Sequence, residues 1–113
     1  MISVRMISVY LADDSHLDRR VAIKTISASA VTTFSAAQLI DEARAVGRLS
    51  HANVVTLYDA GEQGGVPYLV FEYVEGKTLR EVMEAGATDP LVALTLLAEV
   101  ADALDYAHGM GVV

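Results

Sequence analysis

The chain has 113 residues, 53% of them hydrophobic and 20% charged, with a formal net charge of −7 and no cysteine. This is the composition of one globular domain long enough to bury its own core; it excludes a disulfide framework and a thiolate metal site, and its acidity argues against gripping a nucleic-acid backbone. No run approaches the roughly 18 apolar residues of a membrane span, and Met1–Arg5 is not followed by an uninterrupted apolar signal region, so a soluble, cytoplasmic protein with no membrane segment is expected.

Residues 2–12 carry the β-branched Ile2, Val4, Ile7 and Val9 and read as one or two strands. Asp13, Asp14, Ser15, His16 and Asp18 read as a turn. Arg19 to Ser27 reads as a strand with Val21 and Ile23 on one face, Ala22 and Lys24 on the other. Residues 28–33 are small and polar, as in a linker. From Phe34 to Leu49 the period becomes helical. At about 100° per residue, Leu39, Ile40, Ala43, Val46 and Leu49 share one side, and Glu42 falls between Val46 and Leu49 on that side.

After a loop at Ser50–Asn53, Val54–Tyr58 reads as a strand and Asp59–Gly65 as a hairpin connection. Tyr68–Val74 is a strong strand signal, ended by Gly76. Thr78 is an N-cap for a short helix to about Ala85, with Glu81 completing a capping box. Asp89 and Pro90 start a last helix that runs to about His108. Its apolar residues, from Leu94 to Leu104, cover more than half the circumference, so it demands cover on several sides. A protein partner or self-association through residues 91–108 is therefore expected. His16, His51 and His108 are scattered and suggest no metal site; His51 suits loop hydrogen bonds.

Lys24 ends the run Val21-Ala22-Ile23-Lys24, and Glu42 projects from an apolar helix stripe. A lone charge in such surroundings costs several kcal/mol, so the two are expected to point inward and meet.

These pieces, in order, resemble the amino-terminal lobe of a bacterial, eukaryotic-like Ser/Thr protein kinase. Val21-Ala22-Ile23-Lys24 resembles the family's VAIK motif. Asp41-Glu42-Ala43-Arg44 resembles its C helix. Leu49-Ser50-His51-Ala52-Asn53-Val54-Val55 resembles the L-x-H-P-N-I-V turn, with Ala52 in place of proline. Tyr68 to Gly76 resembles the fifth strand and hinge, and Tyr106-Ala107-His108 the end of the helix leading to the catalytic loop. The implied fold is α+β: a five-stranded antiparallel sheet packed by one helix, then two helices of an incomplete second lobe. The implied domains are 1–76, the small lobe and hinge, and 77–113, the start of the carboxy-terminal lobe.

The resemblance also implies roles. Lys24 would pair the α- and β-phosphates of ATP and Glu42 would position it. Val9 and Ala22 would sandwich adenine. Glu72 and Val74 would bond its edge through backbone groups, and Phe71 would be the gatekeeper. Val46 and Leu57 resemble positions of the regulatory hydrophobic spine. ATP with Mg is the implied cofactor pair.

Two departures qualify this. The glycine positions of G-x-G-x-x-G-x-V fall on Ile2, Val4 and Ile7. A left-handed backbone costs a non-glycine residue about 1–2 kcal/mol, so poor nucleotide affinity is expected. The H-R-D catalytic loop, the D-F-G aspartate and the activation loop do not occur in these 113 residues. The expectation is a truncated kinase piece without activity of its own; the alternative is a non-catalytic kinase-like lobe that binds a protein or, weakly, a nucleotide.

Overall fold

The computed structural model describes residues 7–26, 36–86 and 88–112. Strands β1 (Ile7–Asp14), β2 (Arg19–Ile26), β3 (Leu57–Gln63) and β4 (Val66–Glu72) alternate with helix α1 (Ala36–Gly47) and precede α2 (Leu79–Glu84) and α3 (Pro90–Gly109). The chain forms two compact units, Met1–Ser50 with Val55–Tyr73, and His51–Val54 with Val74–Val113.

The first unit is a four-stranded antiparallel sheet in the order β1-β2-β4-β3. This corrects the expected five strands: among the described residues the amino-terminal stretch supplies one strand, Ile7–Asp14, and residues 1–6 lie outside them, with the glycine-loop positions Ile2 and Val4. The anticipated linker at 28–33 and the helix start at Phe34 also lie outside the described residues.

Strand β1 runs through Asp13 and Asp14, which had read as turn. Their register partners are Arg20 and Arg19, and opposite charges facing across a ladder favour pairing. The turn itself is built by Asp14, whose Oδ1 accepts from the backbone N–H groups of His16 (3.0 Å) and Leu17 (3.4 Å). At the other hairpin, β3 starts at Leu57 rather than Val54 and continues to Gln63. The turn is only Gly64 and Gly65, with φ of 58° and 80°, as a two-residue primed turn requires. Gly61 therefore lies inside the strand, opposite Tyr68. Strand β4 correspondingly ends at Glu72, before Val74.

Helix α1 packs on β3 and β4. Val21, Ala43, Leu49 and Leu57 are the buried apolar side chains of this unit, with Pro67 fully enclosed. The helix comes so close to β3 that a Cβ on Gly47 would stand 3.8 Å from Leu57 Cδ2.

The second unit contains α2 and α3, both as expected. Thr78 caps α2 by accepting from the Glu81 N–H at 3.1 Å, as anticipated; the Glu81 carboxylate closes the contact by accepting from the Thr78 hydroxyl at 3.2 Å rather than from its backbone N–H, as a full capping box would. Asp89 caps α3 through the Leu91 N–H at 2.8 Å, with Pro90 in the first turn. The segment His51–Val54 belongs here, held by the loop hydrogen bonds expected of His51. The Asn53 backbone N–H can only donate, and it points at His51 Nδ1 (3.0 Å). The neutral imidazole therefore carries its proton on Nε2, which faces Asp102 Oδ2 at 3.1 Å. The ring lies 5.1 Å from that of Tyr106, and Asn53 Nδ2 donates to the Glu99 carbonyl at 3.4 Å. No residue of α3 is buried, and Leu91, Leu94 and Leu97 are 74%, 63% and 63% exposed. Among the described residues no helix is long and apolar enough to cross a membrane.

Candidate functional site

Strand registers decide which side chains share a surface. Lys24 lies opposite Val9 on β1 and Leu69 on β4, and Ala22 opposite Leu11 and Phe71. Directly paired residues and i, i+2 neighbours project from one face of a sheet. Val9, Ala22, Lys24 and Phe71 therefore sit on a single face. It is the face α1 packs against, since Ile26, Pro67 and Leu69 share it and line a groove of about 200 Å³ with Leu39, Ile40, Glu42, Ala43 and Val46 of α1.

The helix covers only the β3–β4 side of that face. The β1–β2 side stays open, and Val9 is 60% exposed. This overturns the expectation that Lys24 and Glu42 point inward and meet. Both are exposed, and neither takes part in an ion pair among the described residues. The physical reason is the position of α1: it packs on β3 and β4, and Glu42 lines the apolar groove with Ile26, Pro67 and Leu69, where no basic side chain among the described residues lines it. Each charge reaches water over its own apolar stem, which avoids desolvation. The Lys24 amine instead lies 5.6 Å from the centroid of the Phe71 ring, within reach of its negative face.

Of the hinge residues, Phe71 is half-buried on the same face as Lys24. Glu72 closes β4 and, by alternation, directs its side chain away from that face, with Val21 as register partner. Val74 belongs to the second unit, where it is 60% exposed. Of the spine positions, Leu57 is buried and Val46 half-buried against the groove.

Sequence reasoning missed two contributors. Leu11 flanks Val9 on the same face and was legible from period-two alternation. Thr56 was not legible: its part is played by a backbone N–H, which donates to Glu72 Oε1 at 2.9 Å.

An apolar strip next to an amine that has no carboxylate partner among the described residues fits, in kind, a ligand with one flat apolar part and one anionic part. Val9 and Ala22 would meet the ring, and Lys24 the anion. Among the described residues no three His, Cys, Asp or Glu side chains are grouped to hold a metal ion.

Comparison with known proteins agrees with this arrangement of sheet and helix. Residues 6–113 match the protein kinase domain family, and the chain belongs to it. Its relatives include the serine/threonine-protein kinase PrkC of Bacillus subtilis, 40% identical over 105 residues that make up 91% of this chain and 16% of that protein. PksC of Streptomyces coelicolor is 41% identical over 122 residues, 96% of this chain and 21% of that one. PknB of Mycobacterium leprae is 35% identical over 114 residues, with 96% and 18% covered. The chain thus spans 16% to 21% of the length of these curated relatives. Among solved structures, a mutant PknI kinase domain from Mycobacterium tuberculosis superposes with a TM-score of 0.82 at 27% identity, covering 98% of this chain and 47% of that one.

Proposed function

We propose that this chain is the nucleotide-handling part of a protein Ser/Thr kinase, which transfers a phosphoryl group from ATP to Ser or Thr hydroxyls of proteins. The carrying observation is the Lys24 amine, unpaired with a carboxylate among the described residues, on one open sheet face with Val9, Ala22 and Phe71. In this reading Val9 and Ala22 bracket adenine, backbone groups of Glu72 and Val74 bond its edge, and Phe71 limits the depth of the pocket. Lys24 meets the phosphates. ATP with Mg supplies the transferable phosphoryl group. Residues 1–76 then form the small lobe and hinge, and 77–113 begin the second lobe.

The test is thermal unfolding of the 113-residue chain with and without Mg-ATP, beside Lys24→Ala. A ligand at ten times its Kd stabilises by about 1.4 kcal/mol, a rise of several degrees for a chain this short. The wild-type chain should show that rise at millimolar ATP. Lys24→Ala should lose most of it, because a charge-assisted bond is worth about 1.5–3 kcal/mol. Equal responses, or none in either, would overturn the reading. In the same samples, phosphate transfer from labelled ATP to a basic protein should stay at background, since these residues hold neither H-R-D nor D-F-G; turnover that depends on Lys24 would refute this.

A second reading, a protein-binding lobe, is favoured by the uncovered α3 (Leu91, Leu94 and Leu97). An apolar stripe of this kind drives association. Size-exclusion chromatography at rising concentration should show larger species, diminished in Leu94→Asp; a monomer at every concentration overturns it.

A further inference from the structure

The Thr56–Glu72 contact is not absorbed by any role given so far. Strand β3 joins the ladder at Leu57, opposite Phe71, and a register shift between Leu57 and Asp59 bends the strand there. One step further, Glu72 donates its backbone N–H to the Thr56 carbonyl at 2.9 Å. In a continuing antiparallel ladder, two residues so paired exchange both bonds, and the Thr56 N–H would go to the Glu72 carbonyl. Here it goes to the side chain, Glu72 Oε1, also at 2.9 Å. The contact is part-buried, so an unmet Thr56 N–H would carry a desolvation cost.

We propose that the Glu72 carboxylate stands in for the Glu72 backbone carbonyl at the end of the sheet, and so releases that carbonyl to accept an N–H from a ligand, such as the exocyclic amine of adenine. This rests on the nucleotide reading above and assigns the Glu72 side chain a positioning role within it. The bidentate hold on Thr56, with Val21 as register partner on the other side, fixes the last peptide of β4. Without the carboxylate, the cheapest repair is for the Thr56 N–H to take the carbonyl. The ladder would then lengthen by one bond, and the ligand would lose its acceptor. A side-chain amide oxygen accepts as a carboxylate does, so glutamine should substitute for glutamate and alanine should not.

The experiment compares the wild-type chain, Glu72→Gln and Glu72→Ala in amide hydrogen exchange and in Mg-ATP and Mg-ITP binding; inosine carries a carbonyl where adenine carries the amine. Exchange at Leu69, mid-strand, serves as the reference for general opening. In the alanine variant ATP should bind about tenfold more weakly, the worth of one hydrogen bond, while ITP changes little; glutamine should restore ATP binding. Thr56 exchange should separate the variants by shape: unchanged in glutamine, altered relative to Leu69 in alanine. Equal losses of ATP and ITP, or alanine and glutamine behaving alike, would overturn the proposal. A wild-type chain that binds neither nucleotide sinks the nucleotide reading instead, and Thr56 exchange in the alanine variant then decides by itself whether the carboxylate holds that amide.

Discussion

Leu57→Ala is expected to cost the sheet unit about 2–5 kcal/mol, the usual penalty for emptying a buried leucine site. Leu57 is 8% exposed, is the register partner of Phe71, and stands 3.8 Å from where a Gly47 Cβ would be. It is thus the side chain by which β3 meets both β4 and α1. Small domains hold only about 5–15 kcal/mol in total, so the loss is a large share of the whole. Urea unfolding followed by far-UV circular dichroism should show a clear fall in midpoint. Leu94→Ala is the matched control: the same deletion at a 63% exposed site should move stability by no more than about 0.5 kcal/mol. Equal effects at the two positions would mean that α1 and β3 do not share a core as described.

Gly61→Val is the second large effect. A Cβ at Gly61 would stand 2.5 Å from the Tyr68 hydroxyl oxygen and 2.7 Å from its Cζ, so the phenol lies directly over the glycine. The valine must displace that ring, which packs with Ile23, Thr25, Gln63 and Val66 on the sheet face opposite α1. Overpacking of this kind costs about 1–3 kcal/mol. The clash has one partner, so the cost should be specific to it. In a Tyr68→Ala background Gly61→Val should be nearly neutral, and a double-mutant cycle of the four melting curves reads the coupling directly. Additive losses would place the ring elsewhere.

The two positions teach the same lesson about register. Gly61 looks like a turn residue in the sequence because Gly64 and Gly65 follow closely. Only the pairing with Tyr68 shows that it serves a close approach inside β3. Likewise Val54–Tyr58 has the composition of a strand, yet β3 begins at Leu57 because the segment His51–Val54 is tied to Asp102 and Glu99. Residue preferences act locally and cannot report such long-range claims on the backbone.

For the site, the sequence was sufficient wherever one strand or one turn decides the outcome. Alternation along Val21–Lys24 put Ala22 and Lys24 on one face, and the pairing with Val9 and Phe71 completed it. Caps at Thr78 and Asp89 were legible because a capping side chain reaches backbone only two or three residues away. The relation between Lys24 and Glu42 was of another kind. Periodicity correctly placed Glu42 beside the apolar stripe of α1, but where that stripe lands on the sheet depends on how Ala43, Val46 and Leu57 pack. It lands over β3 and β4, and both charges remain in water.

The linear order of residues by itself determined the family, the helix caps and which side chains alternate together, because each rests on chemistry within a few positions along the chain. Tertiary structure alone decided the extent of the sheet, the separation of Lys24 from Glu42, and the bond between Thr56 and the Glu72 carboxylate. Those depend on strand register and on where a helix settles, and both are set by the sum of many weak contacts between distant residues.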